Sequence, residues 1–290
     1  MADDQQTEAM PSPTVRRRRL AAELRRRRRD LGLTREVVAA HVGCSPVTIT
    51  RIESAAVGAR VSDVAMMLDL YNVTGPDRDA LLTLAREAKR RGWWQQYSGS
   101  SRRDFLDFVG LEDEASSIKT YEGELIPGLL QTEKYARALF GASGKISTEE
   151  VARWARLRAA RQGRLFGEHP MTYSAVVREG ALRQQTGGRS VMRDQLNHML
   201  EVMRRPNVTV QVLPFVADTY PTPMAPFVIL TFPELGDPAV VYVDYFIGCL
   251  YLEKEDEIEA YTSMFSQLQE RALDPEDSSS LIADIAKDMT

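Results

Sequence analysis

The chain has 290 residues, 43% hydrophobic and 27% charged, which gives room for one large domain or two ordinary ones and excludes wholesale disorder, a collagen-like repeat and a disulfide scaffold. Its two cysteines (Cys44, Cys249) lie far apart and its histidines number three (His41, His169, His198). A Cys-based zinc cluster is thereby excluded, no metal or cofactor is expected, and both thiols read as small packing residues in a reducing compartment.

Without an eighteen-residue apolar run or a signal pattern at the N-terminus, the expected location is cytoplasmic. The formal charge of −4 hides an asymmetry. Between Thr14 and Arg60 twelve arginines stand against four acidic residues, a balance of +8, whereas residues 101–290 carry 20 basic and 29 acidic side chains, a balance of −9. A polyanion partner belongs at the basic head.

Residues 1–15 read as a disordered tail and residues 16–90 as an all-α head of five short helices. The first spans about 16–30, with Leu20, Leu24 and Leu31 inward and Gly32 as terminator. The second, 35–42, has Thr34 as N-cap and Val37, Val38 and Val42 inward. The third, 46–53, has Ser45 as N-cap, Pro46 at the first helical position, and Ile49 and Ile52 on one side. The fourth, about 63–72 after a Ser62 cap, contributes Val64, Met67, Leu68 and Tyr71; the fifth opens at Pro76 and carries Leu81, Leu82 and Leu84. A Gly- and Ser-containing linker, 91–101, follows, with Trp93 and Trp94 marking a packed portion.

Residues 102–290 read as an α+β domain with a small mixed sheet. Helices are expected at 103–119, 132–140, 148–166 (with a Ser147/Glu150 capping box), 190–204, 254–272 and 279–288, and strands at 173–177, 208–213, 227–232, 240–244 and 248–252. A sheet of three to five strands covered by helices is the natural arrangement.

The functional signal lies between Leu33 and Glu53. Two eight-residue helices joined through Gly43 share a small core of Ala39, Val42, Ile49 and Ile52, so the second presents Pro46, Val47, Thr50 and Arg51 outward. That is a helix-turn-helix, whose second helix enters the DNA major groove while flanking amides and cations hold phosphates. Val47 has two readings, a core residue or a thymine-methyl contact, and its place beside Pro46 favours the outer face.

Residues 16–73 resemble the Cro/repressor (xenobiotic-response-element) helix-turn-helix regulators at Gly32-Leu33-Thr34, Glu36, Ala39, Val42-Gly43, Ser45 and Thr48-Ile49-Thr50-Arg51-Ile52-Glu53. The chain departs from that pattern at Arg35, usually Gln, and Arg27, usually aliphatic. The first places a cation toward phosphate and the second loses a core contact unless the Arg stem packs and its head reaches water. The resemblance implies a DNA-contacting set of Arg35, Ser45, Pro46, Val47, Thr48, Thr50 and Arg51, and a structural salt bridge between Arg28 and Glu53. The arginine run 25–29 reads either as a solvated face or as a DNA contact.

The strings Pro127-Gly-Leu-Leu-Gln-Thr132, Tyr135-Ala-Arg-Ala138, Glu179-Gly-Ala-Leu-Arg183, Val191-Met-Arg-Asp-Gln-Leu196, Asn207-Val-Thr-Val-Gln-Val-Leu-Pro214 and Val240-Val-Tyr-Val243 resemble the C-terminal domain of a large group of actinobacterial regulators, a domain of unknown biochemical function. That resemblance implies an antitoxin-like transcription factor, modulated by a small partner protein encoded nearby, and no enzyme. The residues agree in showing no catalytic motif. Gly141 to Ser147 has the wrong spacing for a phosphate loop. Tyr121, Glu122 and Glu124 are candidates to line a cleft, Asp244 follows a strand, and the arginines of 150–166 read as a solvated or acidic-partner face anchored by Trp154.

The expected protein is a sequence-specific regulator of double-stranded DNA, a homodimer paired through its second domain by Trp154, the segment 241–251 and a terminal helix bearing Leu281, Ile282 and Ile285. The alternatives make that domain a small-molecule sensor or an enzyme.

Overall fold

The computed structural model describes residues 13–89, 92–97, 103–142, 144, 146–217, 225–233, 239–245 and 248–289. The expected tail lies outside the described residues as far as 12, as do positions 91 and 98–101 of the expected linker. The chain divides into two compact units, Met1–Gln95 and Gln96–Thr290. Among the described residues no helix is long and apolar enough to cross a membrane.

The N-terminal unit holds five helices: α1 (Pro13–Asp30), α2 (Arg35–Val42), α3 (Pro46–Glu53), α4 (Val61–Leu70) and α5 (Gly75–Glu87). One face of each supplies a shared core that includes Leu24, Val38, Ile49, Val64, Met67 and Leu68. Two expected core residues are exposed instead, Leu31 and Val37. Leu31 lies beyond the last turn of α1, where the chain reverses through Gly32 at a φ of +63°. Val37 sits one position, or about 100° of helical rotation, from Val38, which takes the core site. Ser62 does not cap the fourth helix: α4 starts earlier, Arg60 is its N-cap residue without a side-chain bond, and the Ser62 hydroxyl donates to Asp63.

The C-terminal unit is an α+β layer built on six strands: β1 (Ser117–Glu122), β2 (Thr172–Arg178), β3 (Val208–Leu213), β4 (Phe227–Thr231), β5 (Val240–Tyr245) and β6 (Gly248–Leu252). Their order is β3-β2-β1-β4-β5-β6. The first three are parallel, and β4, β5 and β6 add antiparallel. Parallel neighbours need long crossovers. Here β1 returns to β2 through α7 (Glu133–Gly141), α8 (Thr148–Arg161) and α9 (Gly163–Phe166), and β2 to β3 through α10 (Glu179–Arg183) and α11 (Arg189–Val202). Preceding the sheet is α6 (Arg103–Glu114); following it are α12 (Glu255–Arg271) and α13 (Pro275–Asp288).

Strand alternation sorts the sheet's two faces. Tyr121, Val176, Ile229, Val241 and Val243 join Phe265 and Leu268 of α12 in one core. On the other face Phe108 of α6 stacks on Tyr242 of β5, ring centroids 4.2 Å apart.

Three expectations for this unit are corrected. The helix expected over 103–119 stops at Glu114, and 117–122 is a central strand, because pairing with both β2 and β4 outweighs local helix preference. The sheet consequently has six strands. The helix expected over 148–166 breaks at Gln162 into α8 and α9, and the last helix starts at Pro275 because the Asp274 carboxylate accepts from the amides of Glu276 and Asp277. The capping box of Ser147 and Glu150 is present, with the Glu150 amide donating to Ser147 Oγ at 3.2 Å.

A buried polar network fixes the Pro127-Gly-Leu-Leu-Gln-Thr132 string. Gln195 of α11 accepts from the Thr132 amide at 2.7 Å and donates to the Leu130 carbonyl at 2.6 Å, while Gln131 donates to the Ile126 carbonyl at 2.7 Å. That string therefore has a positional task, holding Gly128 against α8.

Candidate nucleic-acid interface

Each helix of the α2–α3 pair is closed by a local signal. Thr34 Oγ1 accepts from the Val37 amide at the start of α2, and Gly43 ends it in the left-handed region at φ 77°, its amide donating to the Ala39 carbonyl at 2.9 Å. A side chain at Gly43 would strain that turn. Ser45 Oγ then accepts from the Thr48 amide at 3.2 Å, and Pro46 takes the first helical position of α3. Both caps use one of the orphan amides that a helix N-terminus leaves.

With Ile49, Ile52 and Glu53 buried, the opposite side of α3 faces out. Val47 is 66% exposed, an uncovered aliphatic side chain on a short polar helix, and Pro46, Thr50 and Arg51 are exposed beside it. The Thr50 hydroxyl donates to the Pro46 carbonyl at 3.1 Å, which turns its proton toward the helix. Ser45 and Thr48 bond each other, Oγ to Oγ1, at 2.9 Å. Thus Ser45, Pro46, Val47, Thr48, Thr50 and Arg51 lie together on one edge of the unit, at and after the N-terminus of α3.

Arg35 has a different environment from the phosphate-facing one expected. Its Nε donates to Glu53 Oε2 at 3.2 Å, although the side chain remains over one-third exposed. Arg28 donates to the same carboxylate through Nε at 2.6 Å and Nη2 at 3.0 Å, and its Nη1 reaches the Leu33 carbonyl at 2.8 Å. Hydrogen bonding to Glu53 holds the Arg28 guanidinium above its usual pKa. Tyr71, buried next to this pair, is raised first by its burial and then by the Glu53 charge.

The arginine run divides by position on α1. Arg26 pairs with Glu23 and Asp30, and Arg27 packs its stem while its head reaches Glu23 and Asp77, compensating the lost aliphatic contact. Arg25 and Arg29 are exposed, and among the described residues neither they nor Arg51 makes an ion pair. They are cations available to phosphate, as are exposed Arg60 and the outer side of Arg35. Sequence pattern alone did not separate them from Arg26 and Arg27; the acidic residues at i−3, i−4 and i+4 were the missed signal.

In the C-terminal unit Tyr121 belongs to the α12 core and Glu124 is exposed, whereas Glu122 and Asp244 line a cavity. The arginines of α8 are not a solvated face. Arg161 is buried in a pair with Glu112, Arg158 lines the same cavity, Arg153 bonds the Gln96 carbonyl, and Arg156 is the exposed member. Trp154 meets Phe140 edge-on at 5.3 Å. In the segment from Gly141 to Ser147, positions 143 and 145 lie outside the described residues, and the element before it is α7, where a phosphate loop has a strand.

Compared with known families, residues 19–81 match the model of a helix-turn-helix domain and residues 105–284 match that of a domain of unknown function, DUF5753. Neither a curated protein nor a solved structure matches the chain.

Proposed function

Since the chain belongs to the DUF5753 family and carries the helix-turn-helix domain of a DNA-binding regulator, we propose that it is a sequence-specific transcriptional regulator of the Cro/repressor type. In this reading α3 lies in the major groove with Pro46, Val47, Thr50 and Arg51 toward base edges. Ser45 and Thr48 sit where α3 enters the groove. Arg25, Arg29 and the outer side of Arg35 hold the backbone. The observation that carries it is the exposed edge of α3: an uncovered Val47 beside an Arg51 that makes no ion pair among the described residues, in a segment with a balance of +8.

Titrating operator DNA at several salt concentrations tests the assignment. Arg51→Ala is expected to cost about 1–3 kcal/mol at the operator and little on random DNA, whereas Arg35→Ala weakens binding to all sequences and lowers the salt slope by about one unit. Equal, salt-independent losses for both variants reject these roles.

The same reading makes the protein antitoxin-like: a homodimer whose C-terminal unit receives a small protein encoded beside it. Support comes from the motif strings of residues 127–243 and from the absence of any catalytic motif in the sequence. Co-expression with that neighbour is expected to give a complex with altered operator affinity. Separate elution of the two chains with unchanged affinity rejects it.

A further inference from the structure

Between the sheet and helices α6 and α8 lies a cavity of about 160 Å³. Its walls are mostly apolar or aromatic, with Phe105, Phe108, Leu129, Tyr173 and Phe227 among them. Its floor carries two cations one turn apart on α8. Arg161 is committed: Nε and Nη2 each reach one oxygen of buried Glu112 at 2.6 Å, while the buried Nη1 has no hydrogen-bond partner among the described residues. Arg158 makes no ion pair among the described residues. Its guanidinium lies 5.7 Å and 5.4 Å from the ring centroids of Phe105 and Phe140. Both guanidiniums converge on Gly128, where a Cβ would stand 2.1 Å from Arg158 Nη1 and 3.4 Å from Arg161 Nη2. Gln131 adds a buried Oε1 with no partner among the described residues.

The buried charge here does not close. Glu112 neutralises Arg161. Burial pushes the Glu122 carboxyl up to about 8, outweighing the pull of Arg158, so at neutral pH it is a proton donor and not the counter-ion that Arg158 lacks. Burial and the neighbouring Arg161 lower Arg158 to about 10, which still leaves it charged. Asp244, the remaining carboxylate of the lining, is exposed at the rim, so among the described residues Arg158 has no buried counter-ion, a cost that an entering anion offsets. One buried cation without a buried counter-ion suits a monoanion; a dianion meets Glu112 and Asp244. Arg guanidinium matches a carboxylate in shape and hydrogen-bond spacing. A cavity of roughly 150 Å³ accepts a benzene ring, which bounds the apolar body.

We propose that this cavity binds a small monocarboxylate with an aromatic or branched apolar body, about the size of benzoate, its carboxylate held by Arg158 and by Nη1 of Arg161 and its body against Phe105, Phe108 and Leu129. The site lies wholly within the C-terminal unit and stands whether or not the other unit binds DNA.

Calorimetric titration of the full chain with benzoate tests this, with benzamide as the neutral shape control and inorganic phosphate as the charge control. Benzoate is expected to saturate one site per chain and to bind about tenfold or more tightly than either control, the scale set by hydrogen bonds to charged groups. Arg158→Gln is expected to weaken benzoate by a similar factor without lowering the melting temperature, since it removes an uncompensated charge; a merely structural arginine lowers it. Gly128→Ala, which displaces the guanidinium, weakens benzoate as well.

Binding is expected to fall as pH rises through about 8, where Glu122 ionises beside the bound anion, while Arg158 and Arg161 keep their charges, Glu112 is paired with Arg161, Tyr173 stays neutral because burial raises it, and Asp244 sits at the exposed rim. Glu122→Gln should flatten that profile. No saturation by ~10 mM benzoate, a range that covers millimolar affinity, overturns the proposal, as does equal binding of benzamide or phosphate. Both comparisons use the unaltered chain, so they decide the matter even where a variant fails to fold.

Discussion

Glu53→Ala is expected to destabilise the N-terminal unit by about 3–5 kcal/mol, the cost of leaving a buried ion unpaired. The Glu53 side chain is 1% exposed and that of Arg28 9%, and the pair is bidentate. Arg28 also bonds the Leu33 carbonyl, so one guanidinium ties α1 to the start of α2 and, through Glu53, to the end of α3. Without Glu53, Arg35 loses its acceptor and Arg28 keeps only the Leu33 carbonyl. Arg28→Ala should cost less, because Glu53 retains Arg35 at 3.2 Å. Arg35→Ala, a half-exposed contact, should fall within about 1 kcal/mol. This ordering, Glu53 above Arg28 above Arg35, distinguishes a shared carboxylate from two independent pairs. Denaturant unfolding of the full chain, followed by hydrogen exchange of amides in α1 to α3, measures it. A double-mutant cycle without coupling between Arg28 and Glu53 removes the assignment.

How legible these features were depended on how local their causes are. The limits of α2 and α3 followed from Thr34, Gly43, Ser45 and Pro46, each acting on amides within four residues, and the structure places both helices at the expected residues. The Arg28 and Glu53 pair spans 25 residues and was reached through family resemblance, since spacing alone names no partner. Of the cavity, Glu122 was foreseen as a lining residue, but the arginines were not. Arg158 and Arg161 share a helix face, which on an isolated helix reads as solvated, and Glu112 is 49 positions away on α6. Only the sheet topology brings them together. The same non-locality explains β1: Ser117 to Glu122 alternates Ile118, Thr120 and Glu122 on one side, but that alternation was submerged in a helical pattern running in from α6. Had it been read as period two, Glu122 would have fallen on the face opposite Tyr121, in the cavity.

Residues 1–90 alone are expected to be monomeric and to bind operator DNA about 10²–10⁴-fold more weakly than the full chain, the gain that linking two sites confers. An eight-residue α3 is about 12 Å long and spans about four base pairs, too few to select a site, so such units pair across half-sites about 34 Å apart. The N-terminal unit's core is closed on itself, and of the four large apolar residues it exposes among those described, Val37 and Val47 lie on α2 and α3 of the DNA-binding pair, which leaves Leu31 and Met66. The C-terminal unit exposes Phe215, Tyr245, Leu250 and Val216, the last at 90%. Its final helix does not serve as expected, because Ile282 and Ile285 are buried where α13 packs against α11 and β3. The expected pairing surface is the β6 edge, with the Phe215–Val216 turn at the opposite, β3 edge as the second candidate. Sedimentation of both chains, with footprinting on one operator, tests this division. The full chain should sediment as a dimer and protect two half-sites, and Val216→Asp or Leu250→Asp should reduce it to the behaviour of the fragment. A dimeric fragment, or a full chain that remains monomeric on saturating DNA, places the pairing surface elsewhere or abolishes it.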